Sequence, residues 1–329
     1  MEHRPSLDPA TAQTRSAVRQ ALAEIRPGAV VVALSGGADS LALAAATAFE
    51  APKRGMTLIS ATIDHALQAG SAEVAETAAR QAEELGFDAR IERVEVGADG
   101  GPEAAARTAR YTALARVAGE VDAAAVLVAH TLDDQAETVL LGLARGSGAG
   151  SLQGMAAAST LQGILLLRPF LALGRVTTRA ACAAQGLEPW DDPQNTDPSY
   201  ARVRVRERVL PVLEAELGPG IAEALARTAE QAREDAAAFA AMVDETIEDI
   251  VEPAEAGISV SVPALAANPA ALRHRIIRHV VASEFGQSLT RAQTLEVARL
   301  VTDWAGQGPL DLPGCTARRV GARIVFTAR

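Results

Sequence analysis

The chain has 329 residues, of which 49% are hydrophobic and 22% charged, with a net charge of −10; that length allows two or three domains with a sizeable core. The acidity argues against an indiscriminate nucleic-acid binder, no apolar run approaches a membrane span, and the polar start MEHRPSLDPATAQTR lacks a signal-peptide core. Cys182 and Cys315 lie far apart and the five histidines form no metal spacing, which argues against zinc or an iron–sulfur cluster and for buried thiols in a reducing cytoplasm.

Strand-like apolar runs are expected at 29–34, 57–63, 89–96 and 124–129, with helical patterns near 41–50, 71–86, 102–119 and 132–144. A short apolar run, Ile164–Leu167, follows the loop GSGAGSLQG. This alternation predicts an α/β fold, a Rossmann-like parallel sheet of five strands with helices on both faces. Ligands of such sheets sit at the carboxyl ends of the strands. The segment from Trp190 to Pro198 is dense in turn formers. From Leu213 to Glu255, twelve acids face only Arg227 and Arg233, whereas Asn268–Arg329 holds nine arginines against four acids. The division expected is a catalytic domain over 1–212, an acidic helical linker over 213–255 and a small, basic, mostly α domain over 256–329.

The first strand runs into Ser35-Gly36-Gly37-Ala38-Asp39-Ser40 and then a helix pattern. A strand feeding a glycine turn and a helix N-terminus converges backbone N–H groups on an anion. Gly36 and Gly37 permit close approach, and Ser35 and Ser40 add hydroxyls. Asp39 beside a phosphate is repulsive unless a divalent cation lies between, so the set points to a nucleotide with Mg²⁺. The bland alternative is a βα turn with a Ser/Asp cap. Walker A and G-x-G-x-x-G spacings are absent. The SGGxDS form resembles the loop of the PP-loop ATP pyrophosphatases, which implies cleavage of ATP between the α and β phosphates.

Asp64 and His65 close the second strand, and His130 closes the fourth, ahead of Thr131-Leu132-Asp133-Asp134-Gln135-Ala136-Glu137-Thr138. Asp134 and Glu137, three apart on a helix, share a face, with Val139, Leu140 and Leu143 expected to supply the core on the other. Such carboxylates cap the helix, hold Mg²⁺ or bind an ammonium; His130 would contact phosphate or move a proton. Arg107 and Arg110 lie one turn apart, and Arg110 has no acid four residues upstream to pair with. Arg202, Arg204 and Arg206 alternate beside Tyr200, a mixture suited to a nucleic-acid backbone and a stacked base.

In this order the motifs closely resemble those of the tRNA(Ile)-lysidine synthetase family, over most of the first 215 residues. SGGADS, Asp64-His65-Ala66-Leu67-Gln68, Ala106–Tyr111, His130–Thr138, Asp191–Arg206 and Leu210–Glu214 each match a family element. Ala66, Gln68 and Val203 stand where the family usually carries Gly, Arg and Asn, and the chain looks like the short form. The resemblance implies that ATP adenylates the wobble cytidine of tRNA(Ile) bearing a CAU anticodon. L-lysine then displaces AMP from C2, giving lysidine with AMP and pyrophosphate as products. It assigns nucleotide binding to Ser35, Gly36, Gly37, Ala38, Asp39, Ser40 and Asp64, and catalysis to Asp39, Arg110, His130 and Asp134. Lysine would meet Asp134 and Glu137, and Mg²⁺ would meet Asp39 and Asp133. Tyr200, Arg202, Arg204 and Arg206, with Arg273, Arg275 and Arg278 of the second unit, would hold tRNA, with an affinity that falls steeply with salt. A cytoplasmic enzyme is expected, and a homodimer is left open. A PP-loop tRNA thiolation enzyme would need paired cysteines, which are lacking, and a non-catalytic tRNA-binding module would not need the intact SGGADS and Asp-Asp-x-x-Glu sets.

Overall fold

Over the first 145 residues strands and helices alternate in the order the sequence predicts, the alanine-rich β-strand Ala123–Leu127 included. The computed structural model describes residues 7–66, 70–97, 101–146, 148–254 and 257–329. It divides into two units, Met1–Gln231 and Ala232–Arg329.

The first unit opens with α1 (Pro9–Ala21), β1 (Ala29–Ala33), α2 (Ala38–Glu50), β2 (Thr57–Asp64), α3 (Ser71–Glu84), β3 (Asp88–Arg93), α4 (Pro102–Glu120), β4 (Ala123–Leu127) and α5 (Leu132–Arg145). It continues through β5 (Ala158–Leu161), β6 (Ile164–Leu167), α6 (Arg175–Ala184), α7 (Ala201–Arg204), α8 (Leu210–Leu217) and the start of α9 (Ile221–Ile250). The sheet order is β3-β2-β1-β4-β6-β5. Val30, Val31 and Val32 of β1 are fully buried, each worth about 1.5–3 kcal/mol over exposure. Alternation sends Val30 and Val32 into a core shared with α1, α2, α3 and α6, and Val31 into one shared with Leu114, Val117 and Ala118 of α4. The strand order reverses between β1 and β4, so their carboxyl ends open the crevice in which such folds bind ligands.

Five strands are parallel, as expected, but a sixth, β5, pairs antiparallel with β6. Gln162 (φ 47°) and Gly163 (φ 86°) join them, a two-residue turn with both residues left-handed. Gln-Gly is a weaker hairpin signal than Asn-Gly, and Ala158-Ser159-Thr160 is too polar to read as a strand.

The acidic segment folds into α8 and the 30-residue α9, and the division between units falls within α9. The second unit adds β7 (Val251–Ala254), β8 (Gly257–Ser261), α10 (Val262–Ala267), α11 (Ala270–Phe285), α12 (Arg291–Thr302), β9 (Leu310–Leu312), β10 (Cys315–Val320) and β11 (Arg323–Ala328). Helices supply most of its regular structure, as expected, and they pack on a five-stranded antiparallel sheet, β7-β8-β11-β10-β9, that was not expected. Its strands are short, and β10 and β11 alternate core residues such as Ala317, Ile324 and Phe326 with outward Thr316, Arg318, Arg323 and Val325, a β-like pattern broken at Pro313-Gly314 and Gly321. Those core residues pack against Ile276, Val280 and Leu300. Cys182 and Cys315 are buried free thiols.

Ala66 adopts φ 51° at the end of β2, and its N–H donates to Asp64 Oδ1 at 2.8 Å. A Cβ is strained in that conformation, which explains why glycine is the usual occupant in the resembling family. Ala66→Gly is expected to raise the unfolding free energy by up to about 1 kcal/mol, since relief of strain outweighs the added unfolded-state entropy. Urea denaturation of the two proteins measures it. Leu67 and Gln68, the rest of that element, lie outside the described residues.

Candidate functional site

A cavity of about 1030 Å³ opens at the carboxyl ends of β1, β2 and β4. The loop between β1 and α2 forms one wall and is held by its own hydroxyls. Ser40 Oγ donates to Gly37 O at 2.9 Å and accepts from Ser35 N–H at 3.1 Å. Gly36 takes φ 81°, and a Cβ there would lie 3.4 Å from Ala78; its carbonyl accepts from Trp190 N–H at 2.9 Å. Gly36 thus stands behind the cradle while Ser35, Gly37, Ala38, Asp39 and Ser40 line it. No side chain caps α2 at Gly37, so first-turn N–H groups face the cavity, with the helix dipole favouring an anion.

Four carboxylates from the two acidic motifs gather around one arginine that neither motif contains. Arg175, the first residue of α6, places Nη2 2.5 Å from Asp134 Oδ1, Nη1 2.9 Å from Glu137 Oε1 and Nε 3.6 Å from Asp39 Oδ2. Its backbone N–H donates to Asp133 Oδ2 at 2.8 Å, so Asp133 caps α6 in place of a side chain on Gly174. Asp39 Oδ1 also accepts from the Thr178 hydroxyl. Burial pushes the Asp39 pKa up; Thr178 and Arg175 oppose that, and Asp134 and Asp133 reinforce it. Asp134 goes the other way. Burial is the largest influence and works against its charge, but Arg175 and the Thr131 N–H outweigh it and hold the carboxyl below its usual range. Asp134 and Thr131 form a capping box, with Thr131 N–H donating to Asp134 Oδ2 at 2.8 Å.

Glu137 does not face the cavity. Its side chain is 0% exposed, and Arg206 Nε and Arg175 Nη1 lie 2.8 and 2.9 Å from its Oε1, with Arg202 Nε 3.8 Å from Oε2. The expected lysine contact at Glu137 is therefore already filled by guanidinium groups. Of the residues expected on the core side of α5, Val139 is buried but Leu143 is 59% exposed, and the buried set also takes in Gln135, Ala136, Glu137 and Gly142.

The opposite wall is cationic. Arg107, Arg110, His65, His130 and Arg202 line it, and among the described residues Arg110 pairs with no carboxylate. Burial, aided by Arg107 and Arg202, weighs against the charge of Arg110, an arrangement relieved by an anionic ligand. Among the described residues, Nδ1 of His65 and of His130 is buried without a hydrogen-bond partner. Burial lowers the His130 pKa to about 3, with Arg110, Arg168 and Arg107 assisting and Asp134 opposing. His130 is thus neutral at neutral pH. As pH falls below the ordinary 6.5 the unfolded chain takes the proton first, so His130 drains stability between about 6.5 and about 3. His130→Gln is expected to flatten the fall in unfolding free energy over that window, as urea titrations at stepped pH would show. Asp64 faces the cavity with a depressed pKa: burial opposes its charge, but the Ala66 N–H and Ser71 prevail.

Of the alternating arginines, Arg202 and Arg206 turn to the cavity and Glu137. Arg204 bonds the Pro198 and Ser199 carbonyls at 2.8 and 2.7 Å, and neither it nor Tyr200 lines the cavity. A π turn at Val205–Val209 follows α7, where the ring of Pro211 would collide with the Glu207 carbonyl of a regular helix. Val203 is buried. In the second unit, Arg275 stacks 3.9 Å from the Phe239 ring centroid, and Arg273 Nη1 donates to Leu265 O at 3.4 Å. The pKa of Arg278 is lowered by burial, then by Arg275 and Arg291, so this face of α11 carries concentrated positive charge. Arg175, Thr178 and Trp190 were missed in the sequence; an excess of motif carboxylates over motif cations was the available signal.

Among the described residues no group of three or more His, Cys, Asp or Glu side chains is arranged to hold a metal, and no helix is long and apolar enough to cross a membrane. Asp39 at the cradle nevertheless suits Mg²⁺, which is held by one or two carboxylates together with substrate phosphates and water rather than by a protein cage.

The family described as the PP-loop domain matches residues 10–213, and the TilS substrate binding domain matches residues 261–325. The chain is 59% identical to the tRNA(Ile)-lysidine synthase of Leifsonia xyli subsp. xyli, over 92% of this chain and 91% of that protein. It is 49% identical to the enzyme of the same name from Thermobifida fusca, over 97% and 98%. Among solved structures, the U34-tRNA thiolase NcsA from Methanococcus maripaludis with its [4Fe-4S] cluster superposes with a TM-score of 0.58 at 19% identity, covering 68% of this chain and 78% of that one. That likeness concerns the fold.

Proposed function

This chain belongs to the tRNA(Ile)-lysidine synthase family, and from that premise we propose that its cavity joins L-lysine to C2 of the wobble cytidine of tRNA(Ile) with a CAU anticodon. The observation that carries the reading is convergence: the glycine loop, the acidic start of α5 and Arg110, which pairs with no carboxylate among the described residues, line one cavity. ATP would lay its phosphates on the N-terminus of α2 and the Ser35 hydroxyl. Cytosine O2 attacks the α-phosphorus, pyrophosphate departs, and an adenylated cytidine results. The lysine ε-amine then attacks C2, and the C2–O bond breaks to release AMP. Asp39 and Asp133 would hold Mg²⁺, whose part is to neutralise charge on the departing pyrophosphate.

Arg110 would stabilise negative charge on the transferring phosphoryl group. A neutral His130, with a pKa of about 3, is too weak a base to take a proton from an ammonium. It serves better as a hydrogen-bond partner for phosphate or cytosine. Asp134 would receive substrate ammonium. Arg202 and Arg206 would steer the anticodon arm, with Tyr200 and Arg204 outside the cavity and Arg273, Arg275 and Arg278 of the second unit adding backbone contacts. A cytoplasmic site of action fits a tRNA substrate.

Incubation with ATP, radiolabelled lysine and unmodified tRNA(Ile) tests the reading. Incorporation should require ATP and cease when the wobble cytidine is replaced. Lysine-independent AMP release that requires a sulfur donor would instead mark a thiolation enzyme.

A further inference from the structure

Arg175 lies in neither acidic motif, yet it engages all four of their carboxylates. We propose that Arg175 is a positioning residue that occupies the lysine subsite until nucleotide arrives, coupling lysine binding to ATP through an exchange of ion pairs. The inference rests on the assignment of Asp134 to substrate ammonium.

Three features of the geometry support exchange over a fixed structural bridge. The two oxygens of Asp134 are used differently. Oδ2 is pinned by the Thr131 N–H and hydroxyl at 2.8 and 3.0 Å, whereas Oδ1, among the described residues, hydrogen-bonds the Arg175 guanidinium alone. Withdrawal of Arg175 therefore frees one oxygen while the capping box keeps the carboxylate aimed. Glu137 would not be stranded, because Arg206 already donates to both of its oxygens, at 2.8 and 3.3 Å. And the guanidinium already stands at the edge of the phosphate cradle, since its Nε lies 3.6 Å from Asp39 Oδ2.

Only the side chain needs to move, because the backbone of Arg175 is held by Asp133. A polyphosphate in the cradle presents several anionic oxygens to a guanidinium fork that suits phosphate geometry. Turning toward it, Arg175 would vacate Asp134 Oδ1. Before nucleotide binds, a lysine ammonium must displace a guanidinium from the same oxygen, beside Arg202 and Arg206. After nucleotide binds, it meets a vacated, oriented carboxylate.

The experiment is equilibrium dialysis of radiolabelled lysine against the full chain, with and without Mg²⁺ and α,β-methylene ATP. Wild type should bind lysine at least about fivefold more tightly with the analogue, and Arg175→Gln should bind it equally, within about twofold, in both states. By reciprocity, lysine should tighten analogue binding by the same factor in wild type only. Arg175→Lys, which keeps a cation on a flexible stem, should retain coupling and guards against a variant that fails to fold. Equal lysine binding by wild type with and without analogue overturns the exchange, as does coupling that persists in Arg175→Gln. Absence of lysine binding in every state, tRNA included, overturns the active-site reading itself.

Discussion

Asp39→Asn is expected to lower the adenylation rate by about 10²–10³, the ordinary cost of losing one charge-stabilising group in an active site, while tRNA affinity stays unchanged. Asp39 is the second residue of α2, and its side chain is 28% exposed, within the cradle. The substitution keeps an acceptor for Thr178 but removes the charge that Mg²⁺ would meet. Burial raises the pKa of Asp39 against the pull of Thr178 and Arg175. A carboxyl whose folded pKa is raised adds stability that is present below the unfolded pKa and lost as pH rises through the folded one. At neutral pH the ionised Asp39 is therefore a net cost to the fold, and the Asn variant should melt no lower than wild type. Pyrophosphate release with unmodified tRNA, filter binding of that tRNA and a thermal melt separate the three quantities. An undiminished rate would remove Asp39 from the chemistry; a lowered melting point would mean that the carboxylate carries structure instead.

The parts of the site legible in the sequence are those set by local rules. Val30–Val32 followed by a glycine turn places a cradle at a strand end, and Thr131 ahead of Asp134 forms a capping box, both within a few residues of chain. What was not legible depends on pairings across 38 to 139 residues. Helical period puts Asp134 and Glu137 on one face but does not say what covers it. Arg175, 41 residues beyond Asp134, and Arg206, 69 residues beyond Glu137, do so. They leave Asp134 at the cavity and close Glu137 off from it. The same blindness gave only part of the core side of α5: Val139 is buried, Leu143 is exposed, and the Ser151 backbone packs against Gly142. The Ser151 carbonyl lies 2.1 Å from where a Cβ on Gly142 would stand. In the second unit the alternation in β10 and β11 is β-like in the sequence, bounded by Pro313-Gly314 and Gly321, but nothing local shows that β7 and β8 complete the sheet.

The placement of Glu137 yields the second large expectation: Glu137→Gln should cost about 3 kcal/mol of unfolding free energy, the low end for breaking a buried ion pair. The low end applies because Arg175, Arg202 and Arg206 are 19–28% exposed and keep some contact with water. The carboxylate itself has none, and it ties α6 and the arm running from α7 into the π turn to one point on α5. Removing its charge leaves guanidinium groups crowded without their common anion. Glutamine can accept with one oxygen but brings an amide N–H₂ against two cations. If Glu137 instead bound substrate lysine, the same variant would raise the KM for lysine at unchanged stability. Urea denaturation and lysine saturation curves on the same preparation decide between these, because the two roles move different quantities. Arg206→Met in the Glu137→Gln background should cost less than it does alone, by a coupling of about 0.5–3 kcal/mol. Strict additivity would mean that the bridge seen between Arg206 and Glu137 is energetically idle, and the arm after α7 is held by something other than this carboxylate.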